Sequence, residues 1–250
     1  MNLLIDIGNT LAKIRISSKN KIIKEYVFQK FDDYELKNIL NKYEIKFSII
    51  SNVSKPTPSI ISILKKHTDY VSLKQNVKKF IFNDVDISEV GDDRLALFCS
   101  ALSKYPKDNV LVIDLGTCVT YDLKTSKNEY MPGGISPGMY LRLNSISDNT
   151  FNIDVKKLYH PASLFATDTI SSLSIGIIQG IQYEIEGFIH KYSTIYDKLR
   201  VVINGGDSKL FVGKIKNTIF TNSNFIFEGL ELLISKNNYV MKKSLYTVSY

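Results

Sequence analysis

Residues 2 to 7 (NLLIDI) form a nearly unbroken apolar run, and residues 11 to 17 (LAKIRIS) alternate apolar with polar side chains. The first pattern predicts a buried strand and the second a half-buried one, joined at Gly8-Asn9-Thr10. The segment NKIIKEYVF adds a third strand and completes a meander. In residues 33 to 44 (DYELKNILNKYE), Leu36, Ile39, Leu40 and Tyr43 share one helical face, with Asp32 or Asp33 placed to cap it. KFSIISNVS then reads as a buried strand, and TPSIISILKKH as a helix with Thr57 at the N-cap and Pro58 at its first position.

After GDDR a helix is predicted over 93–104, and the pattern begins again with VLVIDLGTCVTYDLK, an apolar strand, a Gly-Thr turn and an alternating strand. NEYMPGGISPG reads as a strand entering a glycine-rich bend. The longest helical signal runs from Thr169 to Tyr192, with Ile170, Leu173, Ile177, Ile181, Ile185 and Phe188 at spacings of three and four. Gly176 and Gly180 lie one turn apart on it. They permit close approach of another helix, within the subunit or across a dimer, or are incidental. LRVVINGGD is a late strand running into two glycines and an acid.

Composition narrows this picture without naming a function. The chain has 250 residues, 44% hydrophobic and 23% charged, which fits a soluble globular protein of one large domain or two of about 120 residues. No segment has the roughly 18 uninterrupted apolar residues of a membrane helix, and Asp6 interrupts the amino terminus too early for a secretory signal. A cytoplasmic location away from membranes is expected. Cys99 and Cys118 read as buried thiols of a reducing compartment, and His67, His160 and His190 show no zinc spacing. The net charge of +7 comes from scattered lysine pairs such as Lys65-Lys66 and Lys78-Lys79, with acids interspersed, so no nucleic-acid partner is expected.

The candidate chemistry lies in the turns. An aspartate ending a buried strand is costly unless water, a cation or backbone donors compensate it. A glycine two residues later lets backbone N–H groups approach a phosphate without a side chain in the way. Asp6 with Gly8, Asn9 and Thr10, and Asp114 with Gly116 and Thr117, are two copies of this device, each opening its own half of the chain. A single DxGxT is also an ordinary hairpin turn. Two copies, with INGGD as a third glycine turn, favour nucleotide binding. GDDR admits a second reading as a helix N-terminus that Asp92 or Asp93 caps.

Two DxGxT turns and a late glycine-rich turn resemble the superfamily of acetate and sugar kinases, actin and heat-shock chaperone ATPases. Within it, GDDRL at 91–95, DLGTCVTYD at 114–122, GGISPGMYLRL at 133–143 and INGGD at 203–207 resemble type III pantothenate kinases across essentially the whole chain. The resemblance implies an α/β fold of two tandem ribonuclease-H-like domains, 1–107 and 108–250, with mixed sheets flanked by helices and a nucleotide cleft between them. It implies phosphorylation of pantothenate by ATP, the first committed step toward coenzyme A.

Carried over by position, Asp6, Ile7, Gly8, Asn9, Thr10, Leu11, Ala12 and Lys13 would hold the ATP phosphates, joined by Thr117, with Asp6 facing magnesium. Asp114 would ligate a monovalent cation, potassium or ammonium. Gly91, Asp92, Asp93 and Arg94 would line the pantothenate site, Asp93 as general base, and Thr169 would reach the substrate from the opposite side. A homodimer is implied as well. Two positions depart from the family pattern: the stretch before GDDR has Phe80 and Phe82 where a tyrosine is common, and Ala166 stands where glycine is usual. The alternatives are a kinase for another small hydroxy compound and a non-catalytic nucleotide-binding regulator.

Overall fold

Each apolar run that precedes an acid-glycine turn becomes the central strand of a five-stranded sheet. In this computed structural model the described residues are 1–19, 21–55, 57–81, 83–149, 158–221 and 224–246, with side chains as far as 237. The meander is β1 (Asn2–Ile7), β2 (Ala12–Ser18) and β3 (Lys21–Phe28). It is followed by α1 (Asp33–Lys42), β4 (Phe47–Asn52), α2 (Pro58–His67), β5 (Asp69–Val71), α3 (Leu73–Val77) and α4 (Asp92–Lys104). The pattern restarts with β6 (Val110–Leu115), β7 (Cys118–Lys124), β8 (Tyr130–Pro137), α5 (Met139–Asn149), α6 (Thr169–Ser174) and α7 (Gly180–Ser193). The chain then forms β9 (Arg200–Asn204), β10 (Ile219–Phe220) and α8 (Phe225–Tyr246).

The two sheets repeat one topology, in the orders β3-β2-β1-β4-β5 and β10-β9-β6-β7-β8. Each first strand pairs antiparallel with its hairpin partner and parallel with the strand returning after a helical crossover, so both sheets are mixed. Alternation along a strand sends successive side chains to opposite faces. Leu3, Ile5 and Ile7 therefore enter one core cluster with Leu36, Ile39, Ile60 and Leu64 of α1 and α2, while Asp6 shares the other face with Leu4. In the second sheet Leu111, Ile113 and Leu115 join Ile177, Ile181 and Ile185, while Asp114 shares the opposite face with Val112.

The chain divides into two compact units, Met1–Pro106 with Asn224–Tyr250, and Lys107–Ser223. This corrects the expectation of two consecutive segments, 1–107 and 108–250, because α8 returns to the first unit and packs on α4. The reason is a close helix contact: a Cβ on Gly229 would lie 2.0 Å from the carbonyl oxygen of Ala96. Ser100 Oγ accepts from the Gly229 N–H at 2.9 Å and lies 2.6 Å from the Phe225 carbonyl oxygen.

Local signals act mostly as read. Asp32 caps α1 by accepting from the N–H groups of Tyr34 and Glu35. Pro58 begins α2, but the Thr57 hydroxyl accepts from Asn52 Nδ2 at 3.2 Å instead of capping the helix. The long helical signal becomes α6 and α7 joined by a π-helical stretch, Ile175–Gln179. That wider turn changes the helical phase, which leaves Ile170 exposed (44%) although it shares the spacing of the buried isoleucines.

Candidate functional site

In the first unit the acids gather at the carboxyl ends of β1 and β4. Asp6 is the penultimate residue of β1, opposite Lys13 on β2 and Ser51 on β4. Ser51 Oγ donates to Asp6 Oδ1 at 3.2 Å. Burial raises the Asp6 pKa from 3.8 to about 6; the Lys13 charge opposes the shift, the Asp93 charge adds to it, and the Ser51 hydroxyl opposes it. The turn after β1 is closed by the Gly8 N–H donating to the Leu11 carbonyl at 3.0 Å, and it exposes Asn9, Thr10 and Leu11. Ile7 and Ala12 are buried in the core cluster, so their contribution to a ligand is confined to the backbone.

GDDR opens a helix, as one of its sequence readings expects, but neither Asp92 nor Asp93 caps it. Gly91 is the N-cap residue of α4 without a side-chain cap, and Asp92 and Asp93 occupy the first turn, where acids oppose the positive end of the helix. Asp92 Oδ2 accepts from the Asn52 N–H at 3.2 Å. Burial raises the Asp92 pKa, against the Asn52 N–H and the Lys74 charge. Asp93 Oδ1 accepts from the Arg94 N–H at 2.7 Å. A Cβ on Gly91 would sit 2.7 Å from Asp93 Oδ1, so a larger residue there would displace the Asp93 carboxylate. Arg94 is buried. Tyr70 of β5, pushed up to about 12 by burial and then by the Asp92 charge, borders the same group. Phe80 ends a short 3-10 turn, and Phe82 lies outside the described residues.

In the second unit Asp114 is the penultimate residue of β6, in the same place as Asp6 on β1. Its register neighbour on the parallel strand β9 is Asn204, whose Nδ2 donates to Asp114 Oδ1 at 2.7 Å. The Gly116 N–H donates to Cys118, leaving Thr117 exposed at the tip, and the Gly138 N–H donates to the Thr117 carbonyl at 3.0 Å. A Cβ on Gly138 would meet the carbonyl oxygens of Gly116 at 2.2 Å and Thr117 at 2.6 Å. Gly205 braces the turn from the other side at φ +101°, with its Cβ position 2.1 Å from the Leu115 carbonyl oxygen. Only glycine fits there on both counts.

Thr169 is exposed at the first position of α6, after a capping box formed by Asp168 and Ser171. It lines a cavity of about 560 Å³ with Leu141, Arg142, Ser172 and Leu173. None of the acids lines that cavity. Beside it, Glu184 accepts from Tyr121 at 2.7 Å and is paired with Arg142. Ala166 is exposed in the segment before α6.

The first turn and GDDR thus converge within one unit, whereas Asp114, Thr117 and Thr169 belong to the other. Sequence reasoning missed Ser51, Asn204 and Gly138. Ser51 and Asn204 meet the acids through strand register, which leaves no mark on either segment alone; Gly138 lies inside the quoted GGISPGMYLRL stretch, but its contact with Thr117 is long-range.

The donor set suits cations that keep part of their shell elsewhere. Among the described residues no three His, Cys, Asp or Glu side chains form a metal-holding group. Asp6 is a half-buried carboxylate whose pKa is raised by desolvation and by a second acid, an environment that a bound cation would relieve. Magnesium is commonly held by one or two carboxylates together with substrate phosphates, which fits this arrangement.

Comparison with known proteins separates fold from family. The chain resembles the crystal structure of a ROK hexokinase from Thermus thermophilus, with a TM-score of 0.52 at 9% identity over 93% of this chain and 97% of that one. It also resembles that of a conserved protein from Campylobacter jejuni described as a Baf family transcriptional activator, with a TM-score of 0.62 at 22% identity over 95% and 99%. Both likenesses show the fold. In sequence the chain is 38% identical over 240 residues to a type III pantothenate kinase of Christiangramia forsetii, covering 95% of this chain and 99% of that protein. It is 35% identical over 237 residues to one from Flavobacterium psychrophilum, covering 93% and 98%. With the family model for type III pantothenate kinase matching residues 2–191 as well, the chain belongs to the type III pantothenate kinase family.

Proposed function

We propose that this chain transfers the γ-phosphoryl group of ATP to the primary hydroxyl of pantothenate, giving 4′-phosphopantothenate and ADP. The observation that carries this reading is the acid group Asp6, Asp92 and Asp93 at the ends of β1, β4 and α4, in a chain that matches type III pantothenate kinases almost end to end. Phosphoryl transfer asks a protein mainly to position reactants and neutralise charge, with a base for the alcohol proton.

In this reading Asp93 is the base. Its carboxylate takes the hydroxyl proton as the substrate oxygen bonds to the γ-phosphorus and the bond from that phosphorus to the β-γ bridging oxygen breaks. The Arg94 N–H holds Asp93 Oδ1, which sets the direction of the carboxylate. Gly91, Asp92 and Arg94 are the substrate-contacting residues of the first unit, and Thr169 is that of the second. Backbone N–H groups along Asp6 to Lys13, with the exposed Asn9 and Thr10, hold the phosphates, and Thr117 adds a hydroxyl. Magnesium at Asp6 and a monovalent cation, potassium or ammonium, at Asp114 would supply positive charge to the phosphates when bound.

We also propose a homodimer formed through the helix of α6 and α7. Apart from the adjoining backbone of its own helix, no described atom lies within 4 Å of a Cβ placed on Gly176 or Gly180, which supports this reading. The test of function is product analysis by mass spectrometry with ATP, magnesium and potassium, in the presence and absence of pantothenate. Pantothenate-dependent formation of the phosphorylated product is expected. ATP consumption indifferent to pantothenate would overturn the proposal and favour a nucleotide-binding regulator.

A further inference from the structure

The two turn acids share a feature that the turns themselves do not contain. On each central strand the acid stands in register with a polar residue of the parallel neighbour, Ser51 for Asp6 and Asn204 for Asp114. Both partners are buried, and both donate to the Oδ1 atom of their acid. The two contacts differ in strength: a hydroxyl at 3.2 Å serves Asp6, an amide at 2.7 Å serves Asp114. The amide is itself oriented, because Thr221 Oγ1 lies 3.1 Å from Asn204 Oδ1, its hydroxyl hydrogen shared with the Ile203 carbonyl oxygen at 3.3 Å. Turning the amide over would place two acceptor oxygens 2.7 Å apart, so the direction follows from chemistry.

We propose that Asn204 is a positioning residue for phosphoryl transfer, and that the relay Thr221–Asn204–Asp114 sets the carboxylate of Asp114 for the nucleotide and its monovalent cation. An aspartate at a strand end turns about two side-chain bonds, and a charge-assisted hydrogen bond rooted on the adjacent strand removes that freedom before ligand arrives. Ser51 performs the same task for Asp6 with a weaker bond. The inference rests on the reading of Asp114 as a nucleotide-side acid.

The test compares wild type with Asn204→Leu, which keeps the side-chain volume and loses the donor, and Asn204→Ser, which copies the first unit. Three quantities are read: the potassium concentration for half-activation, the separate KM values for ATP and pantothenate, and the thermal shift that potassium and a non-hydrolysable ATP analogue produce in the absence of turnover. Loss of one charge-assisted hydrogen bond predicts roughly a tenfold or greater rise in the potassium and ATP requirements for Asn204→Leu. An unchanged pantothenate KM, a smaller thermal shift and partial recovery in Asn204→Ser are expected with it. Wild-type responses in Asn204→Leu, or an equal rise in both KM values, would overturn the inference.

Should Asn204→Leu fail to fold, Thr221→Val reads the same relay one bond removed, with a several-fold rise in the ATP requirement expected and no change refuting the inference. Asp114→Asn separates the two levels. If it alters the potassium and ATP responses while the relay variants do not, positioning fails and the role of Asp114 stands; if it alters neither, that role fails and the inference with it.

Discussion

Replacing Asp6 with asparagine removes a charge that the fold makes expensive, and the expected consequence is a protein that is more stable and less active. Burial lifts the Asp6 pKa from 3.8 to about 6, a difference worth about 3 kcal/mol at 1.36 kcal/mol for each pKa unit. The folded state holds this proton more tightly than the unfolded chain. The associated stability is therefore fully present below pH 3.8 and lost as pH rises through about 6. Integrating between about pH 4.5 and about pH 7.5, the wild-type protein should lose about 2 kcal/mol that Asp6→Asn keeps.

The Ser51 hydroxyl can still donate to the amide oxygen of the variant, so little is lost in return. Urea unfolding of both proteins at the two pH values, without nucleotide or divalent cation, measures the difference directly. Wild type and variant differing by the same amount at both pH values would refute the reasoning, because the destabilisation would then not come from ionisation of Asp6. In kinetic assays the variant should need far more magnesium-ATP, in keeping with functional sites that hold charges at the expense of stability.

Asp93→Asn should lower turnover by about 10²- to 10⁴-fold with an unchanged melting temperature, and an undiminished rate of product formation would reject Asp93 as base. Gly138→Ala places a methyl against two backbone oxygens that cannot give way, so a loss of about 1–3 kcal/mol in unfolding free energy and a raised KM for ATP are expected. Wild-type values for both would show that the second turn tolerates displacement. Gly229→Ala should destabilise the packing of α4 on α8 by a similar amount, about 1–3 kcal/mol, measured by urea unfolding; retained stability would contradict the close helix contact. Gly176→Leu should dissociate the proposed dimer in sedimentation velocity while leaving the subunit folded, and an intact dimer would remove that glycine from the interface.

Much of the local structure of the candidate site was legible in sequence because its parts are short-range. Asp6 to Lys13 and Gly91 to Arg94 are contiguous, and their residue types answer local demands: a glycine before a carboxylate that folds back, acids at a helix start, a tight turn after a buried strand. Ser51 reaches Asp6 across 45 residues and Asn204 reaches Asp114 across 90, so neither pairing has a local signal. The short elements β5 and α3 were also missed, since three to five residues carry too little periodicity to register.

What the sequence by itself determined is the repeated unit: an apolar central strand, an acid next to its carboxyl end, a glycine turn and an alternating partner. These follow from side-chain alternation and backbone sterics, which act between near neighbours. Tertiary structure alone decided where the last helix belongs. α8 joins the first unit through the fit of Gly229 against Ala96 and Ser100 and through the Asn2 amide donating to Glu231 at 2.9 Å, contacts that no hydrophobic pattern records. It also decided the electrostatics, since Asp6 is an ordinary aspartate until burial beside Asp93 and register with Lys13 and Ser51 determine what holding its charge costs.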